Sequence, residues 1–120
     1  MHPLIKSFRN AIRGIAIMLK NERNAKIHLL FAVLVIIAGF VFRICLYEWA
    51  AVLLAIGIVL ASEGFNSSIE RLSDIVQPHY DDRIRIVKDM AAGSVFISAL
   101  TAAVIGLIIF LPKLKYLLLQ

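Results

Sequence analysis

The chain has 120 residues, 61% of them hydrophobic, and thirteen Lys and Arg against eight Asp and Glu give it a formal charge of +5. A mean hydropathy of +0.87 and an apolar content well above the roughly 45 to 50% of soluble domains exclude a soluble enzyme and leave a small integral membrane protein. The lone Cys45 excludes an internal disulfide and a thiolate metal site, and the basic residues flank hydrophobic runs, which points to anionic lipid headgroups as partners and against nucleic acid.

The first predicted element is a helix over about residues 3–22. Pro3 suits a first-turn position, and Leu4, Ile5, Phe8, Ile12, Ile15 and Leu19 recur at helical spacing opposite Lys6, Arg9, Arg13 and Lys20. That is the pattern of an amphipathic helix lying in the membrane surface. A signal peptide fits poorly, because charges interrupt every apolar run. The apolar stretch from Ile27 to Phe42 follows, only sixteen residues long. It needs its flanks to reach the roughly 20 residues of a bilayer crossing, so the first span covers about 27–46, with Lys26 and Arg43 reaching the two interfaces.

The second span, about 47–72, opens with Tyr47 and Trp49, an aromatic pair suited to a membrane interface. Pro78 and the paired Asp81 and Asp82 then predict a turn and a short helical approach to a third span at about 90–111, closed by Pro112 with Lys113 and Lys115 beyond it. Cys45, between the first two spans, reads as a membrane-packing residue. With no internal repeat and no polar segment large enough for a core of its own, residues 1–120 form one domain, an all-α integral membrane protein.

Lysine and arginine distribution gives the orientation. Lys6, Arg9, Arg13, Lys20, Arg23 and Lys26 precede the first span, and Arg71, Arg83, Arg85 and Lys88 join the second to the third. These ten stand against Arg43, Lys113 and Lys115 on the other side. The positive-inside rule therefore puts the amino terminus and the 71–89 link in the cytoplasm.

The most informative residues lie late in the second span. Glu63, Asn66, Ser67, Glu70 and Asp74 are offset by 3, 4, 7 and 11, which returns them to one face of a helix within an arc of roughly 100°. Ionisable groups in a membrane-length segment are costly and mark a functional site by default. Lys88 and Asp89 sit where the link becomes the third helix, before the small residues Ala91, Ala92 and Gly93, which permit close helix approach and would bring the pair against the polar end of the second span. Glu22, Glu63 and Glu70 are hard oxygen donors suited to Mg²⁺, Lys88 is a cation for a phosphoryl group, and a carboxylate near the surface is a base for a lipid hydroxyl. These are the parts of phosphoryl transfer. No GxxxxGK[ST] loop and no protein-kinase signature accompanies them. A small proton-coupled transporter and a non-catalytic assembly subunit are the alternatives; the first would place a carboxylate in mid-membrane and need no lysine.

Glu63-Gly-Phe-Asn66-Ser67-Ser68-Ile69-Glu70, then Asp74, then Lys88-Asp89-Met-Ala-Ala-Gly-Ser94-Val95, resembles the signature of the bacterial diacylglycerol kinase and undecaprenol kinase family, and the resemblance extends over nearly the whole chain. It implies a homotrimeric bundle in the bacterial inner (cytoplasmic) membrane, each protomer a surface helix plus three transmembrane helices, with sites between subunits. By position it implies Glu63 as general base, Asn66 as an organiser of the site and Lys88 as the contact to the transferable phosphates of ATP. Glu22 and Glu70 match metal-binding carboxylates, and Asp89 and Asp74 match acidic positions on the nucleotide side. The run Glu22-Arg-Asn24-Ala-Lys26-Ile27-His28 resembles the undecaprenol kinase branch, because the diacylglycerol branch tends to place a second glutamate where His28 stands. The resemblance therefore favours undecaprenol over diacylglycerol as the lipid substrate.

Overall fold

The structure, a computed structural model, describes residues 2–120 and consists of four helices: α1 (Pro3–Asn21), α2 (Arg23–Val41), α3 (Leu46–Val76) and α4 (Asp82–Leu118). α1 starts at its proline, and the His2 Nδ1 accepts the Leu4 N–H at 3.2 Å, capping an otherwise open first turn. The single extended residue Glu22 (φ −98°, ψ 118°) breaks α1 from α2. Met18 then lies against α3 at Gly64, where an added Cβ would come 3.2 Å from its sulfur.

α2, α3 and α4, of 19, 31 and 37 residues, are each long and apolar enough to cross a membrane. α3 is the hub, with α2 on one side and α4 packed along it. Few apolar side chains are buried, among them Ala25, Ala32, Val52 and Ala91, while most Leu, Ile and Phe on the helices face outward. In lipid, apolar surface gains little by leaving its solvent, so contacts are made where small residues let backbones approach.

Two expected boundaries move for identifiable reasons. The first span was expected to run to residue 46, but α2 stops at Val41 in a Schellman closure: Arg43 takes a left-handed φ of 53°, and the N–H groups of Arg43 and Ile44 return to the carbonyls of Phe40 and Gly39. Pro112 was expected to end the third span, yet α4 continues through it to Leu118. A helical proline removes the donor to the carbonyl four residues back, here Ile108, and crowds it; Lys113 Nζ donates to the neighbouring Ile109 carbonyl at 3.2 Å. Trp49 packs on Phe40, with ring centroids 4.9 Å apart, and closes over Gly39. Cys45 is exposed and caps α3, its N–H donating to Glu48 Oε1 at 3.0 Å.

Candidate functional site

α3 carries the polar stripe out of the bundle, so burial falls along it. Glu63, Asn66 and Ser67 are 2%, 5% and 6% exposed, Glu70 is half-buried, and Asp74 is exposed where the helix runs past its neighbours. Ser67 Oγ donates to Glu63 Oε1 at 3.5 Å, and Asn66 Nδ2 donates to Glu70 Oε1 at 3.3 Å. Each bond spans one helical turn, so the stripe orients its own carboxylates. Among the described residues, Glu63 Oε2 and Asn66 Oδ1 are buried without a hydrogen-bond partner. Leaving a buried polar atom unmated costs on the order of 1–3 kcal/mol, which makes these two atoms places where a ligand or a moving side chain belongs.

Glu22 reaches the stripe from the α1–α2 break. Its Oε1 accepts from Arg71 at 3.1 Å (Nε) and 3.0 Å (Nη2), and Arg71 is the neighbour of Glu70 in the chain. Glu22 and Glu70 both lie within electrostatic reach of Glu63. Among the described residues no three His, Cys, Asp or Glu side chains gather closely enough to hold a metal. Glu22 and Glu70 are held separately, the first by Arg71 and the second by Asn66.

Lys88 crosses from α4 to α3, its Nζ 2.6 Å from Asp74 Oδ1. Asp89 does not follow it: it pairs with Arg85 one turn back on α4, at 3.2 Å. Of the small residues expected to draw the helices together, Ala91 is buried and does so, whereas Gly93 has open space around it. Asp74, Lys88 and Asp89 nevertheless line one polar recess of about 260 Å³ with Gln77, His79 and Tyr80. Asp81 closes the recess and caps α4, accepting the Arg83 N–H at 2.8 Å; the Arg83 side chain beside it holds its carboxyl well below the usual carboxylate range. Ser68 and Ser94 bond only to carbonyls of their own helices.

A second cavity, of about 350 Å³, lies between α2, α3 and α4. Phe31, Val35, Val59, Ala102 and Ala103 are among its walls, and His28 is the one polar residue lining it. Its imidazole Nε2 is 3.7 Å from Glu63 Oε2. The apolar cavity and the buried carboxylate thus meet at His28. Sequence reasoning missed this contact, and it missed Arg71 as the tie to Glu22: pairs 35 and 49 residues apart leave no mark on helical periodicity.

The family model described as prokaryotic diacylglycerol kinase matches residues 9–110, a stretch that contains every acidic residue of the stripe together with Lys88. Among curated proteins, the chain is 37% identical over 114 residues to an undecaprenol kinase of Bacillus subtilis, covering 95% of this chain and 93% of that one. It is 32% identical over 112 residues to a diacylglycerol kinase of Synechocystis sp., covering 92% of this chain and 64% of that one.

Proposed function

The chain belongs to the prokaryotic diacylglycerol kinase family, and from that premise we propose that this lipid kinase transfers the γ-phosphate of ATP to the hydroxyl of undecaprenol, with Mg²⁺, in the bacterial cytoplasmic membrane. The observation that carries the reading is the stripe of buried Glu63 and Asn66 and half-buried Glu70, with Glu22 tied to it through Arg71 and Lys88 at its open end. Family membership removes the transporter alternative.

The roles follow from chemistry and position. Glu63 accepts the proton of the lipid hydroxyl as the new oxygen–phosphorus bond forms and the bond to departing ADP breaks. Asn66 holds Glu70, and Glu70 with Glu22 would hold the metal, whose charge would offset that on the phosphates. Lys88, released from Asp74, contacts the transferred phosphate. Asp74 and Asp89 line the recess that receives the nucleotide. α1 lies along the cytoplasmic surface, and the three spans assemble as a homotrimer, so that a chain this small completes sites for both substrates between subunits.

Undecaprenol is favoured over diacylglycerol by the His28 run and by the relative that matches over almost its whole length. Purified protein in vesicles is offered γ-labelled ATP and Mg²⁺ with undecaprenol and diacylglycerol side by side. Label on undecaprenol supports the reading, label on diacylglycerol alone transfers the assignment to the other branch, and label on neither overturns it.

A further inference from the structure

Of the two buried oxygens lacking a hydrogen-bond partner among the described residues, Glu63 Oε2 has a donor nearly within reach. His28 Nε2 stands 3.7 Å away, a few tenths of an ångström beyond a hydrogen bond. Apo sites often hold such bonds long and tighten them when substrate arrives. The imidazole is also partly enclosed, with a side chain 21% exposed. It is held on α2 one turn after Ala25, which is fully buried, and one turn before Ala32, which is 7% exposed. Those two alanines bring the α2 backbone close against its neighbours and so set where the ring lies.

We infer that His28 is the positioning residue for Glu63: its Nε2–H donates to Oε2 and fixes the carboxylate so that it faces a hydroxyl delivered from the apolar cavity. The argument rests on the proposal that Glu63 is the base. Ser67 holds Oε1 only loosely, at 3.5 Å. A carboxylate gripped at one oxygen by so long a bond rotates about its last torsion; a second donor on Oε2 stops that rotation. An imidazole suits the task, since its ring N–H is a donor held in a fixed plane by the α2 backbone. His28 also lines the apolar cavity, so the group that aligns Glu63 is the polar residue past which a lipid alcohol must come.

The test exploits which nitrogen donates. Glutamine in place of histidine carries its amide near the position of Nε2, and asparagine carries it near Nδ1. With full-length protein in vesicles, His28→Leu is expected to lower kcat by roughly 10- to 100-fold, the scale for partners that orient a working ligand, with KM for ATP unchanged. His28→Gln is expected to recover kcat to within a few-fold of the starting protein, and His28→Asn to stay as low as His28→Leu. Equal activity of the Gln and Asn variants, or a kcat for His28→Leu within twofold of the parent, overturns the inference. Should the leucine variant fail to fold, the Gln and Asn pair still decides it. Glu63→Gln separates the two proposals. If it abolishes turnover while His28→Leu is silent, only the role of His28 falls; if Glu63→Gln itself turns over normally, the base assignment falls. In the Glu63→Gln background, His28→Leu is expected to cause no further loss.

Discussion

The two ends of the helix bundle handle charge in opposite ways. At the end where α2 turns into α3, Lys113 Nζ meets Glu48 Oε2 at 2.6 Å, the other Glu48 oxygen accepts the Cys45 N–H, and Lys113 also serves the Ile109 carbonyl. Both oxygens of that carboxylate are occupied by groups of the protein. At the opposite end Glu63 and Asn66 are more deeply buried, and each keeps an oxygen without a hydrogen-bond partner among the described residues. Membrane burial raises the cost of an unmated polar atom. Such groups are satisfied at one end and left open at the other, which fits fastening in the first case and, on the proposed function, binding and chemistry in the second.

The sharpest way to break that contrast is to neutralise one carboxylate at each end. Glu63→Gln is expected to lower turnover by roughly 10²- to 10⁴-fold, the range for loss of a general base, while ATP binding and thermal stability persist. Glu48→Gln is expected to do the reverse, keeping kcat and lowering the midpoint of thermal unfolding in detergent. Kinetics and melting curves on the same four samples, with the parent and the double variant, decide the point; equal loss of activity at both ends would mean that the contrast is not functional.

Glu70→Ala comes next. With one of the two proposed carboxylate ligands gone, half-maximal activity is expected to need Mg²⁺ at a concentration higher by roughly tenfold or more, each tenfold being about 1.4 kcal/mol of lost binding. Titration of activity with Mg²⁺ at saturating ATP checks this, and an unchanged requirement removes Glu70 from the metal site. Asn66, which donates to Glu70 at 3.3 Å, is expected to give a smaller shift of the same sign when replaced by alanine.

The fastening end has its own vulnerable point at Gly39. A Cβ there would stand 2.6 Å from the Trp49 ring, which also packs at a tilt on Phe40. Gly39→Ala is expected to cost about 1–3 kcal/mol of stability, as overpacking does, with kcat per folded molecule unchanged. Coupled loss of Mg²⁺ affinity would show that the two ends communicate through α3.

Most of the site was legible because a membrane chain offers few reasons for polar residues. Glu63, Asn66, Ser67 and Glu70 were visible as one face by helical periodicity alone, and the structure puts three of the four below a tenth exposed. Lys88 was found from its position at the head of a helix, and its ion pair with Asp74 joins it to the stripe. What could not be read had separate causes. Asp89 was expected to accompany Lys88, yet on a helix adjacent residues point about 100° apart, so only one of the pair can face α3. The passage of α4 through Pro112 was hidden because Lys113, which donates to the Ile109 carbonyl, is itself held by Glu48 from another helix.

The smallest effect concerns the corner that presents Lys88 and Asp89. Asp81 caps α4 through the Arg83 N–H, and the Arg83 guanidinium doubles the contact at 2.8 Å; together they keep the Asp81 carboxyl well below its ordinary value. A carboxylate whose folded value is depressed contributes stability that is fully present above its unfolded value, about 3.9, and is lost as pH falls toward the folded one. Asp81→Ala is therefore expected to lower the melting midpoint slightly and by the same amount at pH 7 and pH 5, with the gap to the parent closing only in strong acid. A gap that closed between pH 7 and pH 5 would assign the cap to a group other than this carboxylate. Because the residue lines the recess with Lys88 and Asp89, the same variant is expected to raise KM for ATP modestly and leave kcat in place, which ties the start of α4 to nucleotide capture and leaves the chemical step to the buried stripe on α3.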